Sequence, residues 1–361
     1  MKFQFRELYS HHRTSDLLLQ TDHDLCFNTI AIVALDDEIA TARILDVRSG
    51  EIKALEEANV NACCLSSDGS RCVMGGQEPF FLVQQGDRFQ RHSLDTIIGD
   101  MGINFYHFVS DDRQFILVGN DLDRSTTPVV LVDCIEGVQE RNRLSVPEGL
   151  VGMQVVEIDG QPTLSLWCED YPSSHWYLLN LTDGTLRSPD LESPSEPWIL
   201  AGGELVILDA RCCGQDVRIV NWQTNATETR LGTNEHCRSH IQVSQSGNTI
   251  LQQNISCLDF RAKQTLTSYT LDTYQRLGEA SLATTNACLC CGSKAVAVEQ
   301  PVNGEWSVVI YSIDFTEVLG HFPLPIGNYH VTCPADGSTL LLVSEGFKSY
   351  PASVAVLELE I

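Results

Sequence analysis

Residues 64–73 read Cys-Leu-Ser-Ser-Asp-Gly-Ser-Arg-Cys-Val, with an Asp-Gly pair between two short apolar runs. Asp-Gly in this setting signals a two-residue hairpin turn, because the turn favours residues that accept a positive φ. Similar signals recur at spacings of 45, 43, 48, 43, 44, 45 and 45 residues, which predicts a chain built from eight similar units. The signals are Asp22-His23-Asp24, Ser67-Asp68-Gly69, Asp111-Asp112, Asp159-Gly160, Gly202-Gly203, Ser246-Gly247, Cys291-Gly292 and Asp336-Gly337.

A second pattern follows about twenty residues behind the first and has the same period. In it, an apolar run ends in an apolar residue followed by an acidic or amide side chain. Its members span 312 residues in seven intervals, or about 44.6 residues each, with Gln84-Gln85 in the one slot that lacks the pattern. They are Leu45-Asp46, Val132-Asp133, Leu179-Asn180, Val220-Asn221, Leu271-Asp272, Ile313-Asp314 and Leu357-Glu358.

Each period has room for four short β-strands. In the third repeat these are residues 105–109, 114–118, 129–132 and 138–144. Val, Ile, Leu and Thr dominate such runs, and no 3.6-residue apolar stripe lasts long enough for a long helix. A period of about 40–45 residues with four strands is typical of a β-propeller. A β-sandwich does not repeat eight times at this period, and β-helix repeats are shorter.

The two ends of the chain predict how the propeller closes. After Gly337 only two strands fit, residues 340–343 and 354–359, whereas residues 3–8 form a lone strand at the start. We expect that lone strand to complete the last blade, which removes an open sheet edge. The prediction is an all-β fold, a single closed β-propeller domain of residues 1–361 with eight four-stranded blades; seven blades is the alternative. The predicted blades are residues 14–57, 58–97, 102–146, 149–191, 196–232, 236–281, 284–324, and 328–361 with 2–9.

Three segments carry a resemblance to a known family. Residues 44–51, Ile-Leu-Asp-Val-Arg-Ser-Gly-Glu, resemble the strand that ends a WD40 repeat, with Leu45 where the family has Trp. Residues 64–73 resemble the hairpin of that repeat, and so do residues 334–338. The chain contains no Trp-Asp dipeptide. The resemblance implies a rigid platform for protein interaction without catalysis.

The charge balance narrows the class of partner. The chain has 48 acidic and 23 basic residues and a formal net charge of −25. Nucleic-acid binding needs a basic surface, so the composition argues against it and favours basic protein partners. The N-terminus shows no secretory signal and no segment has the ~18 uninterrupted apolar residues of a membrane span. We expect a soluble cytoplasmic protein in a reducing environment, without membrane contact and monomeric on its own.

Cysteine and histidine patterns were tested for metal and catalytic sites. Cys63-Cys64, Cys212-Cys213 and the run Cys288 to Cys291 lack the matched C-x2-C pairs of a structural zinc site, so we expect buried core cysteines. No phosphate-binding loop and no hydrolase motif occurs. We therefore predict no metal, no cofactor and no catalytic residue. The alternative is a lactonase-like or hydrolase-like enzyme, or another small-molecule binder, that uses the axial channel with His107, His240, His330, Asn61 and Asn286.

Long loops on one face are the predicted binding surface. In a propeller, the loops that join the second and third strands of each blade lie on one face, and several here are long and acidic. Aromatic side chains among acidic ones suit an interface that binds a basic protein or peptide. The chain is thus predicted to be an interaction scaffold or adaptor. The candidate binding residues are Asp121, Asp123, Glu169, Asp170, Tyr171, Phe260, Phe347 and Tyr350.

Overall fold

The chain forms two compact units in the computed structural model, one of residues 15–190 and the other of residues 1–14 with 191–361. The structure describes residues 2–11, 17–23, 28–36, 39–57, 60–99, 101–109, 112–120, 126–135, 137–147, 150–170, 173–189, 197–200, 203–208, 216–232, 237–244, 248–256, 264–290, 294–299, 305–325, 329–333, 338–344 and 352–360. Strand β1 (Lys2–His11) belongs to the second unit.

The unit of residues 15–190 contains four antiparallel four-stranded sheets, each formed by strands consecutive in the chain. A four-residue helix, α1 (Asp95–Ile98), precedes the third of them. The strands are β2 (Leu17–His23), β3 (Thr29–Asp36), β4 (Ile39–Asp46) and β5 (Ile52–Glu57); β6 (Val60–Leu65), β7 (Arg71–Gly76), β8 (Phe80–Gln85) and β9 (Arg88–Ser93); β10 (Gly102–Val109), β11 (Gln114–Asn120), β12 (Thr126–Asp133) and β13 (Gln139–Pro147); and β14 (Leu150–Ile158), β15 (Gln161–Asp170), β16 (Ser173–Asn180) and β17 (Leu186–Arg187).

The other unit contains four further sheets of the same kind, the last of which has the order β1-β32-β31-β30. Its strands are β18 (Pro197–Ile199), β19 (Leu205–Leu208), β20 (Val217–Asn221) and β21 (Ala226–Leu231); β22 (Cys237–Val243), β23 (Thr249–Ser256), β24 (Gln264–Thr270) and β25 (Arg276–Leu282); β26 (Thr284–Cys290), β27 (Lys294–Glu299), β28 (Ser307–Ser312) and β29 (Val318–Pro323); and β30 (Tyr329–Thr332), β31 (Thr339–Ser344) and β32 (Ala352–Glu360).

These eight sheets are the blades of an eight-bladed β-propeller, so the predicted fold class is confirmed, as is the role of the N-terminal strand. β1 pairs antiparallel with β32, with Lys2 opposite Glu360 and His11 opposite Ala352. Phe5 stacks on Phe322 with ring centroids 5.6 Å apart, and Arg6 forms an ion pair with Glu358.

The hydrophobic core lies between neighbouring sheets. Between the first two blades, Val33 and Ile44 pack with Cys63, Met74 and Phe80, all at most 2% exposed. The second and third strands of a blade are covered on both faces by its neighbours, so they have nearly continuous apolar runs. The outermost strands alternate, because only one of their faces is covered. Cys63 of β6 and Cys72 of β7 are buried in this core, whereas Cys64 of β6 is half-buried.

Breaks in strand pairing repeat with the blades. On the first strand of five blades the register skips one residue near its start, at Leu19, Asn61, Asn104, Val151 and Thr285. On the outermost strand of six blades the register skips one residue, namely Leu8, Lys53, Arg141, Glu228, Leu277 and Leu319. Such bulges bend a strand and increase its twist. The repeat that the turns predicted is therefore also present in the backbone.

One turn signal was assigned wrongly. Asp22 and His23 are not in a turn; they are the last two residues of strand β2. By contrast, Asp159 and Gly160 adopt φ values of 53° and 70°, as the predicted hairpin turn requires. Asp22 thus ends an inner strand, and its side chain reaches the backbone of Leu65 in the next blade.

Candidate functional site

The predicted loop residues lie almost wholly outside the described part of the chain. Asp121, Asp123, Tyr171, Phe260, Phe347 and Tyr350 are outside the described residues. Glu169 and Asp170 end strand β15, where they pair with Ser174 and Ser173, but their side chains are not described. These residues stay predictions.

The polar residues predicted for an axial site are partly brought into contact. Asn286 Nδ2 lies 3.1 Å from His330 Nδ1, which joins β26 to β30 of the next blade. His107 Nδ1 donates a hydrogen bond to its neighbour's carbonyl, Phe108 O, at 2.8 Å. His240 and Asn61 are exposed on β22 and β6. Within the described residues, no three His, Cys, Asp or Glu side chains are arranged to hold a metal ion.

A cavity of about 440 Å³ opens where three neighbouring inner strands end, namely β2, β6 and β10 in the unit of residues 15–190. That volume is in the range of small-ligand sites in proteins. The cavity contains two carboxylates, two imidazoles and two aromatic rings, and the described lining includes no lysine or arginine. Its lining residues are Gln20, Asp22, His23, Cys63, Cys64, Leu65, Ser67, Tyr106, His107, Phe108 and Asp112.

Asp22 is a half-buried carboxylate of this cavity. Its Oδ2 accepts a hydrogen bond from the backbone N–H of Leu65 at 2.6 Å. Burial raises the Asp22 pKa above its usual value, although the N–H groups of Leu65 and His23 and positive charge on His23 and His107 oppose the rise. The Asp22 carboxylate has thus lost part of its hydration, and hydrogen bonds from the protein compensate for only part of that loss.

Side chains of β2 also cover the edge of the next inner strand. Gln20 Oε1 accepts from the backbone N–H of Cys63 at 3.0 Å, two residues before the Leu65 bond to Asp22. In the other unit, Gln242 Nε2 donates to Ala287 O at 2.9 Å in the same way. These bonds satisfy backbone groups on the edges of inner strands. Gln20 and Asp22 therefore have a structural role as well as lining the cavity.

The second carboxylate, Asp112, lies in the turn between β10 and β11. Its Oδ2 accepts a hydrogen bond from the backbone N–H of Ser67 at 2.8 Å, and the Ser67 hydroxyl also contacts it. Arg71 donates from Nη1 to the backbone oxygen of Asp112 at 3.0 Å, so this cation is bound to a carbonyl of the turn. The turn is thus fixed by the preceding blade and holds its carboxylate at the cavity wall.

The cysteines and the tyrosine of the cavity lining are held in their neutral forms. Burial, with the nearby negative charge of Asp22, raises the pKa of the Cys64 thiol, and burial likewise raises that of Cys63. Since the thiolate is the nucleophilic form, neither cysteine is set up for covalent catalysis. Burial raises the pKa of Tyr106 to about 12, so this phenol stays neutral. The ring of Tyr106 occupies the space that a side chain at Gly75 would fill. The cavity can therefore bind by charge, hydrogen bonds and ring faces.

Of the cavity lining, sequence reasoning named only His107 as a site residue, in the alternative axial site, because it treated Asp22 as part of a turn and sought function in long loops. A usable signal was present. The inner strands of the first and third repeats end in polar or aromatic residues, Gln20 to His23 and Tyr106 to Phe108, at positions that match Cys63 to Leu65 of the repeat between them. Whether these strand ends converge on one cavity depends on how the three blades pack against one another. The repeat period of the sequence does not determine that packing.

Membrane insertion through a helix has no support in the described structure. The longest helix there, α1, has four residues, and no described helix could span a bilayer. Cysteines 63, 64, 72, 134, 168, 237 and 333 are free thiols.

Several solved structures have a fold similar to that of this chain. The Dos1 propeller matches with a TM-score of 0.63 and 8% identity, over 98% of this chain and 95% of that one. The C-terminal WD40 domain of Sif2 matches with a TM-score of 0.61 and 11% identity, over 97% of each chain. The Cps50 (Swd1) propeller domain of Myceliophteria thermophila matches with a TM-score of 0.50 and 8% identity, over 99% of this chain and 100% of that one.

No family model and no curated protein sequence matches the chain. At identities of 8% to 11%, the similarity to solved structures is a similarity of fold. It agrees with the WD40 likeness of residues 44–51 and 64–73. The chain therefore has the fold of a WD40-type β-propeller.

Proposed function

We propose that the chain is a protein-interaction module that binds a basic segment of another protein. The observation that carries this proposal is the cavity at the ends of β2, β6 and β10, whose described charged groups of fixed sign are the carboxylates of Asp22 and Asp112. It opens in a chain of formal net charge −25, so the field around the molecule attracts basic partners.

Long-range electrostatic attraction increases the rate at which a basic partner associates with the chain. High affinity also needs favourable contacts within the complex. Exposed ion pairs contribute only about 0–1 kcal/mol each, because water and salt screen them. A carboxylate that the protein has already withdrawn from water interacts more strongly with an incoming cation, since the local dielectric is lower. Asp22 meets that condition, whereas the acidic residues of exposed turns do not.

The exposed apolar side chains also favour recognition by charge. Six large ones are exposed among the described residues, and each belongs to a different blade. Dispersed single residues are normal on protein surfaces and do not mark an interface. They are Ile52, Ile135, Leu186, Trp198, Leu277 and Val318, of which Trp198 is 53% exposed.

The predicted loop surface is a competing location for the partner. In the described structure, the strand ends that flank such a loop, as Glu169 and Asp170 of β15 do, are at the opposite end of the antiparallel strands from the end at which the cavity opens. We place the partner at the cavity because the described contacts converge there. Variants at Asp121 and Asp123 test the alternative directly.

A second candidate function is binding of a small molecule in the same cavity, since its volume would suit one. The two functions differ in what flanking residues of a peptide contribute. A peptide ligand should gain affinity from its neighbouring residues, whereas a small-molecule site should bind the isolated compound at least as well as any peptide that contains it.

The test is fluorescence anisotropy with three labelled peptides of equal length that carry arginine, glutamine or glutamate at the same positions. We expect the arginine peptide alone to bind, with affinity falling several-fold as the salt rises from about 0.05 M to about 0.3 M. Equal binding of the glutamine peptide, or no binding of the arginine peptide, would contradict the proposal. A loss caused by Asp121→Asn with Asp123→Asn, but not by Asp22→Asn, would move the partner to the loop surface.

A further inference from the structure

The cavity has features that distinguish one kind of cation from another. Asp22 presents a carboxylate that accepts the Leu65 N–H at Oδ2 and also interacts with the His23 N–H and the Cys64 thiol. Since an ionised carboxylate has about four acceptor positions, it can accept a further donor from a ligand. Asp112 offers a second carboxylate at another wall, and the rings of Tyr106 and Phe108 also line the space. A ligand that fits must therefore satisfy separated acceptors and lie against aromatic surface.

A guanidinium group matches this set better than an ammonium group. Its five N–H donors form a planar fork that can reach more than one acceptor, and its flat faces stack on aromatic rings. It is also more weakly hydrated than an ammonium, so transfer into a partly buried cavity costs less. A lysine ammonium would act as a compact point charge and leave one carboxylate without a partner.

We propose that this cavity receives the side chain of an arginine, with its guanidinium bound between the carboxylates of Asp22 and Asp112. The proposal rests on the proposed function, because the arginine is supplied by the protein partner. It assigns a binding role to Asp22 that adds to its structural hydrogen bond with the edge of β6.

The substitution Asp22→Asn separates those two roles. The amide oxygen of Asn can still accept the Leu65 N–H, so the strand edge stays covered while the charge is removed. Burial raises the Asp22 pKa, which means that the ionised form costs the fold free energy at neutral pH. A neutral side chain removes that cost, so D22N should fold with a melting temperature close to that of the wild type.

The experiment is isothermal titration with agmatine, whose alkyl chain carries a guanidinium at one end and an ammonium at the other, and with N-carbamoylputrescine, which keeps the ammonium but has a neutral urea in place of the guanidinium. We expect agmatine to bind the wild type, D22N to weaken it about tenfold or more, and the urea compound not to bind. Asp112→Asn provides a second variant at the other wall. The matched control is Asp87→Asn, an exposed carboxylate in the turn between β8 and β9, which should bind agmatine as the wild type does.

The outcomes separate this inference from the proposed function. If the arginine peptide binds with salt dependence while agmatine affinity is the same in D22N, D112N and the wild type, the cavity assignment is wrong and the interaction function stands. If agmatine binds in an Asp22-dependent way but no basic peptide binds, the cavity is a small-molecule site and the interaction function is wrong. Equal binding of agmatine and N-carbamoylputrescine would overturn the proposal that the cavity recognises the charged guanidinium.

Discussion

Deletion of residues 1–11 should leave a chain that fails to form its last blade and does not fold stably. Strand β1 covers β32 along nine paired positions, buries Tyr9 and stacks Phe5 on Phe322. Its removal exposes the long apolar edge of β32, which would invite aggregation. Since whole domains have about 5–15 kcal/mol of stability, loss of a complete strand exceeds what the fold can tolerate. Circular dichroism and size-exclusion chromatography at 25 °C would show the loss.

A circular permutant is the matched control for that deletion. Lys2 pairs with Glu360, so the first and last strands meet as the two arms of a hairpin. A chain that starts at residue 15 and carries residues 1–14 after Ile361 through a short linker should regain β1 and fold. The closure by β1 would be contradicted by a deletion variant with a wild-type melting curve, or by a permutant that stays unfolded.

Replacing Gly278 by alanine should clearly destabilise the fold. Among the described glycines whose φ is not positive, we expect it to be the most destabilising alanine substitution. Gly278 lies on the outermost strand β25, and a Cβ there would overlap the backbone carbonyl of Asp314 in the next blade. Opposite Gly278, Ser268 donates its hydroxyl to Ile313 O of the same turn. Backbone cannot move aside as a side chain end can, so we expect a loss of about 1–3 kcal/mol or more.

The control for Gly278→Ala is Gly232→Ala. Gly232 has open space at the Cβ position and no positive φ, so alanine there should be neutral or slightly stabilising. Urea unfolding of both variants beside the wild type gives the comparison. Equal midpoints for the two variants would mean that the turn of the next blade does not rest on Gly278.

The period could be predicted from sequence because hairpin turns depend on local chemistry. Asp159 and Gly160 adopt the positive φ values that their residue types favour, and the same reasoning gave eight units. The pairing of the N-terminal strand with the last blade could be predicted by counting strands, since the last unit lacked a fourth strand. These inferences need only neighbours in the chain.

The candidate site could not be predicted in the same way, because it depends on contacts between blades. Asp22 differs from other acidic residues only in that β6 of the next blade supplies the Leu65 N–H and removes water. The sixth blade provides a second case. Gln252 is fully buried and hydrogen-bonded to Ser239, Asn254 and Tyr269, and the sequence does not show that this polar network is buried.

We propose that a positively charged partner is bound through its charge in the cavity of Asp22 and Asp112. The most direct measurement compares two synthetic peptides that differ at one central residue, arginine in one and citrulline in the other, by titration calorimetry against the wild-type chain. Citrulline keeps the length and shape of arginine but is neutral. We expect the citrulline peptide to bind at least about tenfold more weakly than the arginine peptide. Equal affinity of the two peptides would contradict it.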